Sequence, residues 1–187
     1  LFFAPLVTLM FCFNAPQNDD EKMQTIMISV KNTLSYLHYS PKPINDAYSA
    51  DVYDKYMEMI DPGKRFFLQS EVDEFSKHRT KLDDYLNRGD LTFYKLTVDK
   101  LYDRTAEIEK YSQEILSKPI NFEENDELIL EPKLKKYPQN QEELKNEWKK
   151  FIKYNILQEI ERFNAKEERK CEKKESVNSR KLKDTIK

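Results

Sequence analysis

The scarcity of glycine is the feature that most narrows the folds open to this sequence. Only two of the 187 residues are glycine, at positions 63 and 89. The tight turns that join β-strands draw heavily on glycine, so a sheet built from several hairpins is hard to make from this chain. Charged residues make up 35% and hydrophobic residues 39% of the sequence, a balance that suits amphipathic helices. We therefore predict an all-α protein, an irregular bundle of about five helices.

Apolar residues recur at intervals of three and four in five segments, which predicts where the helices lie. The predicted helices span residues 22–37, 45–60, 71–87, 90–117 and 140–163. Proline marks several of the breaks between them, because it cannot continue a helix. The segment Pro119–Gln139 has three prolines and one short apolar run, Leu128–Leu130. For this segment we predict an extended, proline-containing excursion from the bundle.

The stretch DPGKRFFLQSEVDEF, residues 61–75, combines a helix stop, two adjacent phenylalanines and a helix start. Asp61-Pro62-Gly63 ends the second helix, and Ser70 followed by acidic residues has the pattern of an N-cap for the third. An apolar residue just ahead of a cap can pack against the first turn of the helix. We therefore predict that Phe67 or Leu68 forms a hydrophobic corner between the two helices. A ligand-binding pair of aromatic rings is the alternative.

Three further residues have the chemistry of helix ends. Gly89 is available for a left-handed C-cap of the third helix. Asp90 is interpreted as the N-cap of the fourth helix. Asn140, with Glu143 three residues later, resembles a capping box and predicts the start of the fifth.

The first 13 residues, LFFAPLVTLMFCF, are almost wholly apolar. The run is shorter than the roughly 20 residues of a membrane-spanning helix and has the length of a signal-peptide core. We predict that residues 1–15 are a truncated signal peptide and that residues 16–21 are a linker, which implies export. A buried N-terminal helix is the alternative. Cys12 is a further open possibility as a lipid-anchor site, although Phe11 stands where such a site normally has a small residue.

The sequence shows no recognised catalytic, cofactor-binding or metal-binding pattern, and we predict no such site residue within it. Two glycines cannot build a phosphate-binding loop, and Cys171 stands alone in a charged segment. His38 and His78 are interpreted as helix-terminal or surface side chains, because neither has an obvious nucleophile nearby in sequence. Since the formal net charge is −2 and the C-terminal segment alternates in sign, we predict no nucleic-acid binding.

The stretch HYSPKPINDAYSADVYDKYMEMIDPGKRFFLQSEVDEF resembles the N-terminal helical domain of tail-specific, or carboxy-terminal processing, proteases, in a form like that of Bacteroidota. The family pattern has His-Tyr, a proline-containing link, an acidic helix closing on Asp-Pro, an aromatic-Leu pair and a Ser or Asp at the next helix start. The matching positions are His38-Tyr39, Asp61-Pro62, Lys64, 66–68 and Ser70. GDLTFYKL, ILSKPINF and PQNQEELKNEWKKFIKYNIL continue the resemblance, which covers Lys22 to Phe163.

The resemblance implies an exported serine endopeptidase of the periplasm or cell envelope, which recognises proteins with apolar, unstructured C-termini through a PDZ domain. In that scheme a serine hydroxyl attacks the peptide carbonyl and a neutral lysine is the general base. The family places both the PDZ domain and this Ser/Lys dyad after the helical domain. The implied order is therefore a helical domain at 22–163 and a charged tail at 164–187 leading to a PDZ and peptidase region. No residue of this sequence is then catalytic.

The resemblance also implies a task for the helical domain. In the family it forms part of the wall around the proteolytic chamber and offers a contact surface to substrates and adaptor lipoproteins. The alternative is a stand-alone exported helical protein-interaction module with no peptidase attached. The gene downstream of Lys187 distinguishes the two, because only the first requires a PDZ-like segment and a peptidase core.

Overall fold

A computed structural model describes the backbone of residues 19–185 and the side chains of residues 19–170. Within that part the chain forms six α-helices, one π-helical turn and no β-strand. The elements are α1 (Asp19–Asn32), the π-helical turn (Thr33–Leu37), α2 (Asp46–Ile60), α3 (Gln69–Ser76), α4 (Leu82–Arg88), α5 (Thr92–Leu116) and α6 (Gln141–Thr185). The all-α prediction is therefore confirmed. The predicted signal peptide, with Cys12, lies outside the described residues. None of the described helices has both the length and the apolar character that a membrane crossing requires.

Two predicted helix ends are confirmed. Gly89 ends α4 in the left-handed conformation, with φ of 65°, and its N–H donates to the carbonyl oxygen of Tyr85. At the start of α6, Asn140 Oδ1 accepts the N–H of Glu143 at 2.9 Å. The Glu143 carboxylate in turn accepts the N–H of Gln139 at 2.8 Å. The local sequence was sufficient here because each bond joins residues within four positions of one another.

The single helix predicted at 71–87 is wrong, because the chain breaks it into α3 and α4. Between Phe75 and Leu82 the sequence SKHRTK has no apolar residue, so a continuous helix would bury nothing there. Backbone hydrogen bonds between residues three positions apart, in the range 74–81, form the turns that connect α3 to α4. At the start of α4, Ser49 of α2 accepts the Asp83 N–H at 2.7 Å and donates to the Asp83 carboxylate at 2.6 Å. This tertiary contact stabilises the start of α4.

The chain divides into two compact units, and α2, α3 and α5 contribute residues to both. The first unit holds Glu74–Val98 with the described residues up to Tyr56, and the second holds Met57–Asp73 with the residues from Asp99 onward. The buried side chains of the first are Ser49, Tyr53, Phe75, Leu91, Phe93 and Thr97. Those of the second include Met57, Asp61, Phe67, Leu68, Glu71, Arg104, Ile108, Lys135, Leu144 and Lys153. Five of these ten are ionisable, and a buried charge is tolerated only with partners.

A buried carboxylate organises the loop that follows α2. Asp61 is 2% exposed, and its carboxylate accepts the N–H groups of Arg65, Phe66 and Phe67 at 2.8, 3.0 and 3.2 Å. Hydrogen bonds to an ionised acceptor are roughly twice as strong as neutral ones. The turn also requires Lys64 to adopt the left-handed conformation, with φ of 47°. Because one side chain serves three successive amides, it holds the loop in one conformation.

The predicted N-cap at Ser70 is wrong, and Glu71 caps the helix instead. α3 begins at Gln69, and the N–H of Leu68 donates to the Glu71 carboxylate at 2.9 Å. Arg104 of α5 donates hydrogen bonds to the same carboxylate, with Nη2 at 2.7 Å and Nε at 3.1 Å from its oxygens. Ser70 is exposed. A carboxylate that a buried arginine already orients is a stronger acceptor than a free hydroxyl.

Phe67, rather than Phe66, enters the core at the predicted corner. Phe67 is fully buried and Leu68 nearly so, which confirms their predicted burial. The Phe66 ring is half-buried and meets Trp148 of α6 edge-on, with ring centres 5.8 Å apart. Trp148 also donates its indole N–H to the Arg65 carbonyl oxygen at 2.7 Å. Both phenylalanines are therefore used in packing, which disfavours their alternative interpretation as a ligand-binding pair.

The described residues 117–140 contain no helix or strand, which confirms the predicted excursion. Side chains of the second unit hold this segment in place. Lys153 of α6 donates to the Glu124 carbonyl oxygen at 3.2 Å and to the Asp126 carboxylate at 2.6 Å. Lys64 donates to the Lys135 carbonyl oxygen at 2.8 Å. The excursion is thus fixed by individual lysines and not by a regular ladder.

α6 continues through the predicted charged tail. The apolar pattern predicted a helix only as far as Phe163, whereas the backbone is helical to Thr185. Leu157, Ile160 and Phe163 are exposed, so this part of the helix adds little to the core. The domain boundary at 163/164 stays a prediction.

Phe67→Ala should lower the free energy of unfolding of the second unit by about 3 kcal/mol, because truncating a buried aromatic ring leaves a cavity. The measurement is urea unfolding followed by the fluorescence of Trp148, the single tryptophan of the sequence, which lies in the same unit. Phe163→Ala is the matched control. Its ring is 63% exposed, so the loss should stay within about 0.5 kcal/mol. Equal unfolding midpoints for the two variants would contradict the role given to Phe67.

Asp61→Asn should lower the same free energy by about 2 kcal/mol, since an amide offers one acceptor oxygen where the carboxylate serves three N–H groups. Trp148 fluorescence again reports the unfolding. Asp99→Asn, on the exposed face of α5, controls for the loss of one negative charge. If Asp61→Asn unfolds at the same urea concentration as Asp99→Asn, the loop does not depend on the carboxylate.

Candidate binding site

The first unit has an open apolar cavity of about 290 Å³. α1, the π-helical turn, α2, α4 and α5 form its walls. The lining residues are Met27, Val30, Leu34, Tyr48, Val52, Tyr56, Leu82, Tyr85, Leu86, Asp90, Phe93 and Tyr94. Asp90 is the single charged residue among these twelve. The volume is close to the lower end of the roughly 300–1,000 Å³ of typical ligand sites.

α1 is a loosely packed wall of this cavity. None of its residues is buried, and Val30 is 49% exposed. The hydroxyls of Thr25, Ser29 and Thr33 each donate to the carbonyl oxygen four residues earlier, at 2.7, 2.7 and 2.9 Å. Such bonds compete with the helix's own ladder and tend to bend it. The helix then passes into the π-helical turn, a feature that is frequent at functional sites.

A smaller cavity of about 170 Å³ lies beside the first. Its lining residues are Leu34, His38, Ser40, Lys42, Ile44 and Tyr48. Leu34 and Tyr48 line both cavities, so the two are neighbouring parts of one depression, which we call the apolar groove. A charge stands in each part, Lys42 in the smaller cavity and Asp90 in the larger.

The negative charge in the larger cavity is maintained by the start of α5. Asp90 Oδ1 accepts the N–H of Thr92 at 2.8 Å. Hydrogen bonds from the side chain and then the backbone of Thr92 hold the pKa of Asp90 below its usual value, so the carboxylate is ionised at neutral pH. Asp90 therefore caps α5 as predicted, although the helix itself begins two residues later than the predicted bound.

Two of the four groove tyrosines have hydroxyls that the unit itself engages. Tyr56 OH lies 2.6 Å from the hydroxyl of the fully buried Thr97. Burial raises the pKa of Tyr56, against the opposing effect of the bond to Thr97, so this phenol stays neutral. Tyr85 OH lies 2.7 Å from His78 Nδ1. These bonds fix two rings of the groove wall in place.

The structure places both histidines in the first unit, where each contacts nearby groups. His38 is exposed, and its Nδ1 contacts the backbone of Ser40. His78 is half-buried. Burial, followed by repulsion from Lys81, lowers the pKa of His78, so the ring is neutral at pH 7. Its Nδ1 forms a hydrogen bond with the Tyr85 hydroxyl. Both positions agree with the interpretation of these residues as structural.

A second, more polar cavity of about 320 Å³ lies in the second unit beside Lys135. Lys135 is buried, and its Nζ lies 3.1 Å from the Glu147 carboxylate. Burial lowers the pKa of Lys135, while Glu147 opposes that change. The lysine is therefore committed to a structural ion pair. Among the residues described with side chains, no group of three or more His, Cys, Asp or Glu could hold a metal ion.

Sequence reasoning missed the groove because it assigned the lining residues to a closed core. Tyr48, Val52 and Tyr56 belong to the apolar stripe predicted for the second helix. Spacing identifies which face of a helix is apolar, but not whether the facing helix packs tightly against it. The clustering of four tyrosines around one cavity is visible only once the helices are placed.

The lowered pKa of His78 predicts a loss of stability of the first unit in acid. The unfolded chain takes up a proton near pH 6.5, whereas the folded chain resists protonation until a lower pH. Stability is therefore full above pH 6.5 and falls as the pH drops through the folded pKa. Thermal unfolding by circular dichroism should show a larger fall in Tm from pH 7.5 to pH 5 for the wild type than for His78→Gln. His38→Gln, which replaces an exposed histidine of the same unit, is the matched control. Equal falls in the wild type and His78→Gln would contradict the prediction.

Comparison with known proteins assigns the family. The family model described as "Tail specific protease N-terminal domain" matches residues 30–186. A curated relative, the tail-specific protease of Haemophilus influenzae (strain ATCC 51907 / DSM 11121 / KW20 / Rd), is 28% identical over 138 residues. That alignment covers 73% of this chain and 20% of the relative, so the chain spans about a fifth of the length of the relative. Since the family model matches well over half of the sequence, the chain belongs to the family of tail-specific protease N-terminal domains.

Proposed function

We propose that this chain is the non-catalytic N-terminal helical domain of an exported carboxy-terminal processing serine endopeptidase. The observation that carries the proposal is the family match over residues 30–186, together with a relative that is named as a protease and is about five times as long as the matched region. The reaction of the whole protein is the degradation or trimming of proteins with apolar, unstructured C-termini. The similarity to the relative supports a protease as the longer protein. The serine chemistry, the export and the type of substrate are part of the proposal.

The proposed chemistry takes place outside this chain. A downstream PDZ domain recognises the substrate's C-terminus, and a downstream serine attacks the scissile carbonyl with a neutral lysine as general base. The positions of the two histidines are consistent with this division of labour. His78 bonds to a tyrosine hydroxyl and His38 to backbone atoms, so within the described part of the chain neither is placed to activate a serine.

The helical domain itself forms part of the chamber wall and a surface for substrates and for an adaptor lipoprotein. Rigidity of the second unit supports the first task, because Asp61 and Glu71 hold its central loop through buried bonds. Exposed apolar side chains support the second task. Tyr36, Leu37 and Tyr39 are each at least 79% exposed, and such clusters commonly mark contact sites. The site of action is the periplasm or cell envelope, after export by a signal peptide.

Cleavage assays separate the chain from the longer protein. The chain from Asp19 to Lys187 should cleave no peptide, because the dyad lies downstream. The protein extended through its PDZ and peptidase segments should degrade an unfolded substrate with an apolar C-terminus, and replacing its downstream serine by alanine should abolish this activity. Cleavage by the shorter chain that survives repurification and is lost on a substitution within residues 19–187 would overturn the proposal. A stop codon directly after Lys187 would support the stand-alone interaction module instead.

A further inference from the structure

We propose that the first unit binds the surface of an anionic lipid bilayer through Tyr36, Leu37 and Tyr39, with Lys31 and Lys42 at the lipid phosphates. We call these five residues the tip patch. The inference goes beyond the proposed function, because it adds a lipid surface to the protein contacts considered there. It rests on that function only for the presence of the chain at the cell envelope.

The apolar side chains of the tip patch are the most exposed of their kind in the described part of the chain. Tyr36 and Leu37 are each 79% exposed and Tyr39 is 102% exposed, the three highest values among the large hydrophobic residues described. All three lie within four positions, at the end of the π-helical turn and directly after it. Apolar surface that is concentrated in this way is unfavourable in water and marks a contact site.

The charges around the tip patch favour an anionic partner. Residues 22–45 contain three lysines and no aspartate or glutamate, although a stretch of that length in this chain holds about four acidic residues on average. This acid-free run is bounded by Glu21 and Asp46, and Glu21 precedes Tyr36 by about 22 Å of helix. Lys42 is exposed, and none of the six residues that line the small cavity beside it is acidic. The half-buried Lys31 adds a second positive charge.

The combination of tyrosine with lysine favours a lipid surface over a protein partner. Tyrosine is enriched at protein interfaces and at membrane interfaces alike, whereas lysine is depleted at protein interfaces. Anionic headgroups attract a nearby lysine strongly enough to raise binding roughly fivefold for each side chain. A second copy of the chain is disfavoured, because a symmetric contact would place Lys31 and Lys42 against the same lysines of the other copy.

The connection that follows the π-helical turn has few free backbone donors, which suits the headgroup region of a bilayer. A backbone N–H that leaves water requires another acceptor. Pro41 and Pro43 have no N–H, and the N–H of Ser40 donates to His38 Nδ1 at 3.1 Å. The loop can therefore approach the headgroups at a small desolvation cost. Tyrosine fits the same depth, because its ring enters the apolar boundary while its hydroxyl stays among polar groups.

Co-sedimentation with lipid vesicles tests the inference. The chain from Asp19 to Lys187 retains every described helix and lacks the apolar run at 1–13, which would enter a bilayer by itself. One set of vesicles contains phosphatidylcholine alone, and the other contains equal parts of phosphatidylcholine and phosphatidylglycerol. Binding to the anionic vesicles should be at least about tenfold tighter. Raising NaCl from about 0.05 M to about 0.5 M should remove most of this preference.

A double variant tests the apolar contact. Tyr36→Ser combined with Leu37→Ser should weaken binding to the anionic vesicles at least about tenfold, because two exposed apolar side chains no longer enter the headgroup boundary. The matched control is Met59→Ser combined with Tyr102→Ser, at positions that are 74% and 72% exposed and lie outside the tip patch. The control should bind like the wild type. Circular dichroism checks that both variants are folded.

A second double variant tests the charges. Lys31→Gln combined with Lys42→Gln should reduce the preference for anionic over neutral vesicles to within about twofold. Its control is Lys55→Gln combined with Lys110→Gln, which removes two exposed lysines outside the tip patch and should keep the preference. The two pairs change the net charge equally, so a difference between them reports the position of the charges.

Several results would overturn the inference. Absence of binding to either set of vesicles would remove the lipid surface as the partner, and unchanged binding in either tip-patch variant would place the contact elsewhere. A concentration-dependent dimer that the serine variant abolishes, without vesicle binding, would make the tip patch an interface between copies. These results are distinct from failure of the proposed function. If the longer protein does not cleave but the chain binds vesicles as described, the lipid assignment stands and the protease assignment falls.

Discussion

The structure of the second unit depends on two buried carboxylates that share one short stretch of backbone. Asp61 accepts the N–H groups of residues 65–67, and Glu71 accepts that of Leu68, so four successive amides are satisfied by two side chains. A buried carboxylate is stable only with such partners, and a buried loop amide is costly without an acceptor. The hydrogen bonds therefore offset both the cost of burying the carboxylates and the cost of burying the amides. With the loop fixed, Phe67 enters the core and the Arg65 carbonyl is presented to Trp148 of α6.

The first unit differs, because an open apolar cavity lies beside its buried residues. Its buried residues lie mainly on α2 and α5, while α1 contributes none. An apolar cavity that is left open forfeits the packing energy that its walls would gain from contact. Two opposite charges, Lys42 and Asp90, lie among the residues that line the groove.

The family assignment connects this chain with tail-specific proteases. The chain aligns with about a fifth of a tail-specific protease, and its described histidines serve packing contacts. The proposed function assigns surface and shape to this chain and the nucleophile and base to other segments of the longer enzyme. The ionisable groups buried in this chain, such as Arg104 with Glu71 and Lys153 with Asp126, hold its own segments together.

The sequence by itself determined the features that depend on near neighbours. The all-α class, the excursion at 117–140, the left-handed cap at Gly89 and the capping box of Asn140 and Glu143 follow from periodicity, proline and bonds between residues a few positions apart. Tertiary structure decided the rest. Arg104, 33 residues away, orients Glu71 and makes it the cap in place of Ser70. Ser49, 34 residues away, anchors the start of α4 and so contributes to the break after α3. The choice of Phe67 over Phe66 and the open groove likewise depend on partners that are distant in sequence, because burial is a property of the assembled helices and not of any one of them.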